Sequence, residues 1–205
     1  MNGKAGAAWK FLDSGKKTAV REIIGIIGTG RGVGATHFAV MTAGYLSGVL
    51  RKRCAVLEWN GHGDFLNMSE MCGKETRPGR GSRILETDYY ERAGIDTLLL
   101  CKKAGYQAVI VDYGSVPEGN LEEFLRCDRQ FVLGSLSEWQ MKAFLEFEGR
   151  GKRAEKSWET LITFGSEEAR KNMEKRLLTP VRRVPVSVDA FVITGETMGF
   201  YQKFF

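Results

Sequence analysis

Short unbroken apolar runs alternate along the chain with longer stretches in which apolar residues recur every three or four positions. The first run, residues 23–28, predicts a strand that leads into a glycine-rich loop, the whole stretch from Ile23 to His37 reading IIGIIGTGRGVGATH. Beyond it Phe38, Val40, Met41, Ala43, Gly44, Tyr45, Leu46 and Leu50 keep helical spacing, and the basic run 51–53 closes that helix, where cations suit the helix dipole. Cys54–Glu58 predicts a buried parallel strand, 59–63 is broken by glycine, and Asp64–Cys72 predicts a short helix. Residues 73–83, GKETRPGRGSR, carry no large apolar side chain and read as a loop. A short strand is expected within 83–90, a helix over 93–104 and a fully buried strand over 107–112. A helix over 120–126, a strand over 130–133 and a helix over 138–148 follow, then a polar break over 149–156. A strand over 158–164, a helix over 167–178, an apolar segment over 184–188 and a helix from about 196 complete the pattern. Strands separated by helices imply crossover connections, hence an α/β fold: a doubly wound, mostly parallel sheet with helices on both faces.

Composition narrows this picture. A chain of 205 residues suits one sizeable core rather than two, so residues 22–205 are read as a single domain and 1–21 as an N-terminal arm. With 43% hydrophobic and 27% charged residues, neither a disordered nor a membrane-embedded protein is indicated. A net charge of +5 tolerates polyanions without calling for them. The basic groups Arg51 to Arg53, Arg77 and Arg80, Lys152 and Arg153, and Arg182 and Arg183 accordingly read as solvated faces rather than nucleic-acid contacts. Cys54, Cys72, Cys101 and Cys127 stand apart, and with only His37 and His62 there is no metal-site spacing. Isolated thiols, no secretory apolar region and no apolar run near the roughly 18 residues that cross a bilayer lead to the expectation of a cytoplasmic protein. The C-terminal Met198, Phe200, Tyr201, Phe204 and Phe205 lack the basic face of a membrane-surface helix, and are expected to pack on the core or on a partner.

Ligands of open parallel sheets gather beyond the carboxyl ends of the strands. There the first strand delivers glycines 28, 30, 32 and 34 to the start of a helix, the arrangement by which converging backbone amides and a helix N-terminus hold phosphate. The usual signature asks for Gly-Lys-Ser/Thr, and this chain has Gly34, Ala35 and Thr36, so the lysine is missing. Candidate ligand contacts are Gly30, Arg31, Gly32, Val33, Gly34, Ala35, Thr36 and His37. Candidate magnesium contacts are Thr36, through its hydroxyl, and Asp112, which closes a buried strand opposite the loop. Glu58 and Asn60 follow the second strand, and His62 and Asp64 lie in a segment that reads equally as a switch loop or a plain turn. Arg31 reads either as a phosphate ligand or as a solvated loop residue, and His37 as a ligand neighbour or a packed helix residue.

The order GTGRGVGATH, AVLEWN, YQAVIVDYGS, CDRQFVLGSLSEWQ and VPVSVDAF resembles the ParA/MinD superfamily of deviant P-loop ATPases over residues 22–195. The resemblance implies a P-loop NTPase-like fold, ATP or ADP with magnesium as cofactor, and a protein partner or a second copy docked across the loop. Three positions depart from the family pattern. The family's signature lysine falls on Gly30, with Arg31 beside it; its phosphate-neutralising lysine falls on Ala35; and the second aspartate of its Asp-x-Asp motif falls on Asn60, with Glu58 in the first. Asparagine accepts no proton at neutral pH, and alanine offers no charge to a transition state that depends on electrostatics. The expectation is a slow or non-hydrolysing nucleotide-binding protein that regulates or positions another assembly, with some likeness to the pilus-assembly TadZ/CpaE branch. Two alternatives stand beside it: a pseudo-ATPase scaffold that binds no nucleotide, and an active ATPase with Arg31 in the lysine's role. Phe164, in ThrPheGly at 163–165, is a candidate for stacking on a base.

Overall fold

The computed structural model describes residues 22–72, 75–76, 81–116, 119–151 and 158–205. The expected arm at 1–21, most of the loop at 73–83 and the basic residues Arg77, Arg80, Lys152 and Arg153 lie outside the described residues.

The strands are β1 (Glu22–Gly28), β2 (Cys54–Glu58), β3 (Glu75–Thr76), β4 (Ser82–Ile84), β5 (Thr87–Tyr90), β6 (Ala108–Ser115), β7 (Arg129–Ser135), β8 (Glu159–Phe164) and β9 (Val181–Arg183). They form one sheet in the order β3-β4-β5-β2-β6-β1-β7-β8-β9. Pairing is parallel from β5 to β9, and antiparallel where β3, β4 and β5 fold back on one another at one edge. The helices are α1 (Ala35–Gly44), α2 (Asp64–Cys72), α3 (Ile95–Ala104), α4 (Leu121–Phe124), α5 (Met141–Gly151), α6 (Glu167–Leu177) and α7 (Gly195–Tyr201).

Alternation along the strands divides the core between the two faces of the sheet, as a doubly wound fold requires. Ile24, Ile26, Val56, Ile110, Phe131 and Leu133 face one way and meet Phe38 and Met41 of α1, Phe65 of α2 and Phe200 and Tyr201 of α7. Ile27, Ala55, Leu57, Val109, Val111 and Val132 face the other way and meet Leu98 and Cys101 of α3, Phe124 of α4 and Phe147 of α5. β1 lies at the centre between β6 and β7, so the loop that follows it opens in the crevice where the chain departs in opposite directions.

Several elements differ from the expectation. Within the expected loop 73–83, Glu75–Thr76 form β3 and Ser82 opens β4, and the one short strand expected within 83–90 is two, β4 and β5, paired antiparallel. The helix expected to continue to Leu50 turns into a π-helix over Tyr45–Val49. The hydroxyls of Thr42 and Ser47 bond the carbonyls four residues back, Phe38 at 2.7 Å and Ala43 at 2.8 Å, a competition that loosens helical turns. The last strand is Val181–Arg183, and 184–188 leaves the sheet: Pro185 cannot donate to a ladder, and Val186 and Val188 are exposed.

The C-terminal aromatics pack on the core. Tyr201 is fully buried, stacks on Phe38 and Tyr45 at 5.7 and 5.0 Å between centroids, and its hydroxyl bonds Thr42 Oγ1 at 3.1 Å. Phe205 lies under the cations of Lys52 and Arg129. Tyr201→Ala is therefore expected to cost about 3–5 kcal/mol of stability by urea unfolding, and Tyr201→Phe only about 1 kcal/mol.

Candidate functional site

The loop after β1 is fixed by its neighbours before it meets any ligand. The Thr29 amide donates to the Leu133 carbonyl of β7 at 2.8 Å, and the Val116 amide donates to the Gly28 carbonyl at 2.9 Å, so both flanking strands hold its base. From outside, Gln140 Nε2 donates to the Arg31 carbonyl at 2.9 Å. Gly32 and Gly34 adopt φ of +75° and +87°, the left-handed region that glycine enters without penalty. Gly34 also caps α1 and supplies no side-chain acceptor, and the first turn holds no acidic residue. The first amides of a helix have no intrahelical acceptor, so here they face the loop's concavity.

That concavity is a cavity of about 320 Å³, lined by residues 30–36, by His62 and Asp64 from the β2–α2 side, and by Gly114 and Ser115 of β6. A second cleft of about 350 Å³ adjoins it across Gly32, Val33 and Gly34, and is bounded by His37, Phe38, Thr163, Phe164 and residues 184–187. The expected contacts Gly30 to Thr36 thus line the first cavity together. His37 lines the second cleft instead, with a buried Nε2 that has no hydrogen-bond partner. Val33 contributes backbone only, because its side chain is buried in the core beside Gly28. Arg31 is exposed on the rim. Ala35, where a lysine would reach the phosphates, is buried in the main apolar cluster, and no lysine lines the cavity among the described residues.

Acidic groups stand beside the cavity: Asp64 lines it, while Glu58 and Asp112 do not, being fully buried. Glu58 ends β2 and is the register partner of Asp112, which lies within β6 three residues before its end at Ser115. Asp112 Oδ1 accepts the Gly114 amide at 2.9 Å while Oδ2 has no partner. Glu58 Oε1 accepts the amides of Asp64 and Phe65 at 2.6 and 3.3 Å while Oε2 has no partner. Burial pushes the Asp112 carboxyl up to about 6, against the Gly114 amide and the Thr36 hydroxyl, and nearby Glu58 and Asp64 push it further up. Burial likewise raises Glu58. The Thr36 hydroxyl donates to Asp64 Oδ2 at 3.4 Å, and His62 Nδ1 lies 3.9 Å from the same oxygen. Asn60 donates through Nδ2 to the Asp112 carbonyl at 3.1 Å and accepts the His62 amide on Oδ1 at 3.0 Å.

Among the described residues no three His, Cys, Asp or Glu side chains form a metal cluster of their own. The orphaned Asp112 Oδ2 beside the Thr36 hydroxyl nevertheless suits a magnesium ion whose remaining ligands are phosphate oxygens and water. Of the basic groups, Arg182 is ion-paired with Glu159, Arg183 donates to the Gly165 carbonyl, and Arg53 donates to the Ala104 carbonyl and lies over the Tyr106 ring. Gln140 had no local sequence signal, since its contact to the loop spans 109 residues.

No protein-family model matches the chain, and no curated protein matches it in sequence. Solved structures do. A plasmid partition protein from Borrelia burgdorferi bound to AMPPNP superposes with a TM-score of 0.64 at 14% identity, covering 89% of this chain and 95% of that one. A ParA family ATPase from Chlorobium tepidum gives 0.59 at 17% identity over 82% and 85%. The MinC:MinD cell division complex of Aquifex aeolicus gives 0.58 at 14% identity over 82% of each chain. The chain has a ParA/MinD-like α/β fold.

The raised Asp112 carboxyl carries a sign. Its folded value lies above the unfolded one, so the native state holds the extra proton, and stability falls as pH rises from about 4 to 6. Asp112→Asn keeps an acceptor for the Gly114 amide, so the ligand-free variant should lose most of this slope and be more stable at pH 7 by about 2 kcal/mol. Thermal unfolding between pH 4 and 8 checks both.

Proposed function

We propose that this chain binds ATP or ADP with magnesium in the cavity under the glycine loop, hydrolyses it slowly or not at all, and works as a regulatory or positioning factor for another assembly. The observation that carries the reading is the glycine loop itself: Gly32 and Gly34, left-handed at the start of α1, line a cavity beside which the buried Asp112 keeps one unmet oxygen. The adjoining cleft with Phe164 on its edge gives a base somewhere to lie. A solved structural neighbour holds AMPPNP and another pairs with a protein partner, which accords with both halves of the proposal. Thr36 and Asp112 would hold the magnesium ion, which would offset phosphate charge where Ala35 supplies none.

Slow chemistry follows from what the side chains do. Asn60 uses both ends of its amide within the protein, and Ala35 faces the core. Exposed Phe164 at the carboxyl end of β8, and Trp139, Val186 and Val188 beyond those of β7 and β9, lie on the edge of the sheet where the loop opens and support docking of a second copy or a partner there. The scaffold alternative, without nucleotide, draws its support from the acidic groups at this end of the sheet, Asp64 on the cavity and the buried Glu58 and Asp112 beside it.

Thermal unfolding with millimolar Mg-ADP and Mg-ATP tests the reading. Ligand at 100 times its dissociation constant adds about 2.7 kcal/mol, an upward shift of several degrees in a domain of this size. Gly34→Val places a branched side chain at φ +87° on the cavity wall and should abolish the shift. No shift at any concentration leaves the scaffold, whereas steady turnover lost in Arg31→Ala supports the active enzyme.

A further inference from the structure

The wall of the cavity opposite the glycine loop is the segment 58–65, which runs from the end of β2 into α2. At its start the Trp59 amide donates to the Asp112 carbonyl at 2.9 Å. The same carbonyl accepts the Asn60 side-chain amide at 3.1 Å, and Asn60 Oδ1 accepts the His62 amide at 3.0 Å. At its end Glu58 Oε1 takes the amides of Asp64 and Phe65, tying the first turn of α2 back to β2. Gly114 makes the fit possible: with φ of +67° and no side chain, it lets the segment close onto β6, where a Cβ would stand 2.9 Å from Asn60 Cβ and 3.1 Å from His62 Cε1.

We infer that Asn60 is a positioning residue that latches this wall shut against β6 in the absence of any ligand. The consequence is that the segment is in place before binding and does not register how many phosphates the ligand carries. An aspartate at 60 would not serve. It could still accept the His62 amide, but it has no N–H for the Asp112 carbonyl, and it would add a charge beside Glu58, Asp64 and Asp112. The asparagine is thus the side chain that bonds both β6 and the turn at His62, which an aspartate at 60 would do only in part. This deepens the nucleotide-binding reading and rests on it only for the ligand comparisons; the latch itself is tested on the free protein.

The experiment is amide hydrogen exchange on the whole chain, free, with Mg-ADP, and with Mg-AMPPNP, in wild type, Asn60→Asp and Asn60→Ala. In free wild type the amides of Trp59, His62, Asp64 and Phe65 should be protected at least about 100-fold over an unfolded chain, with the two nucleotides changing them alike. Both variants should lose roughly tenfold or more of that protection, confined to 59–65, while β1 and β7 keep theirs. Loss spread over β1 and β7 as well would mark Asn60 as a general stability residue and overturn the assignment. So would a free wild-type segment exchanging at the unfolded rate, or one that becomes protected only with the triphosphate analogue. Absence of any nucleotide effect anywhere, with the segment protected and released by the variants, would sink the nucleotide reading and leave the latch standing.

Discussion

Two carboxylates held side by side in the middle of a parallel sheet are the constraint around which this end of the molecule is built. Glu58 and Asp112 share a register across β2 and β6 and neither reaches water. A buried charge needs partners, and each of these carboxylates receives only half of what it can accept. The amides of Gly114, Asp64 and Phe65 serve one oxygen on each and, in doing so, shape the turn out of β6 and the entry to α2. The remaining oxygens are left beneath the glycine loop. A site that keeps such groups unmet holds stability in reserve for a polar ligand or cation.

The shape of a phosphate site and its chemistry have separate physical origins here. Shape belongs to the backbone: glycines in the left-handed region, a helix start without a side-chain cap, and flanking strands that hold the loop's base. Chemistry belongs to side chains, and those here make contacts within the protein. Ala35 packs in the apolar cluster beneath α1. Asn60 joins two stretches of chain. Thr36 turns its hydroxyl to Asp64. The geometry of such a loop therefore does not depend on reactive side chains, because the backbone and the flanking strands set it.

This separation explains what was legible in the amino-acid order. Strands such as Cys54–Glu58 and the core of Ala108–Ser115 were readable because a strand buried on both faces is an unbroken apolar run. The loop was readable because its backbone turns left-handed at Gly32 and Gly34, a conformation that favours glycine. The π-helix at Tyr45–Val49 was not, since a 3.6-residue apolar period does not register features such as the Thr42 and Ser47 hydroxyl bonds to the backbone. Nor was the end of the sheet at Arg183, where valines that look like strand leave it at Pro185. Within the site, Asp112 and Thr36 could be named from position. The adjacency of Glu58 to Asp112, the brace from Gln140 and the displacement of His37 to the neighbouring cleft are facts of register and long-range contact.

The stacking of Tyr201 on α1 also has a consequence in time. Thr42 and Tyr201 are 159 residues apart, and at the roughly 5–20 residues per second of synthesis the helix that presents the loop waits on the order of ten to thirty seconds for its aromatic cover. During that interval Phe38 and Tyr45 are without the rings that later bury them. A nascent chain would then hold the base of the loop between β6 and β7 well before α1 gains its aromatic cover, so the helix behind the loop is the last part of this end of the sheet to be packed.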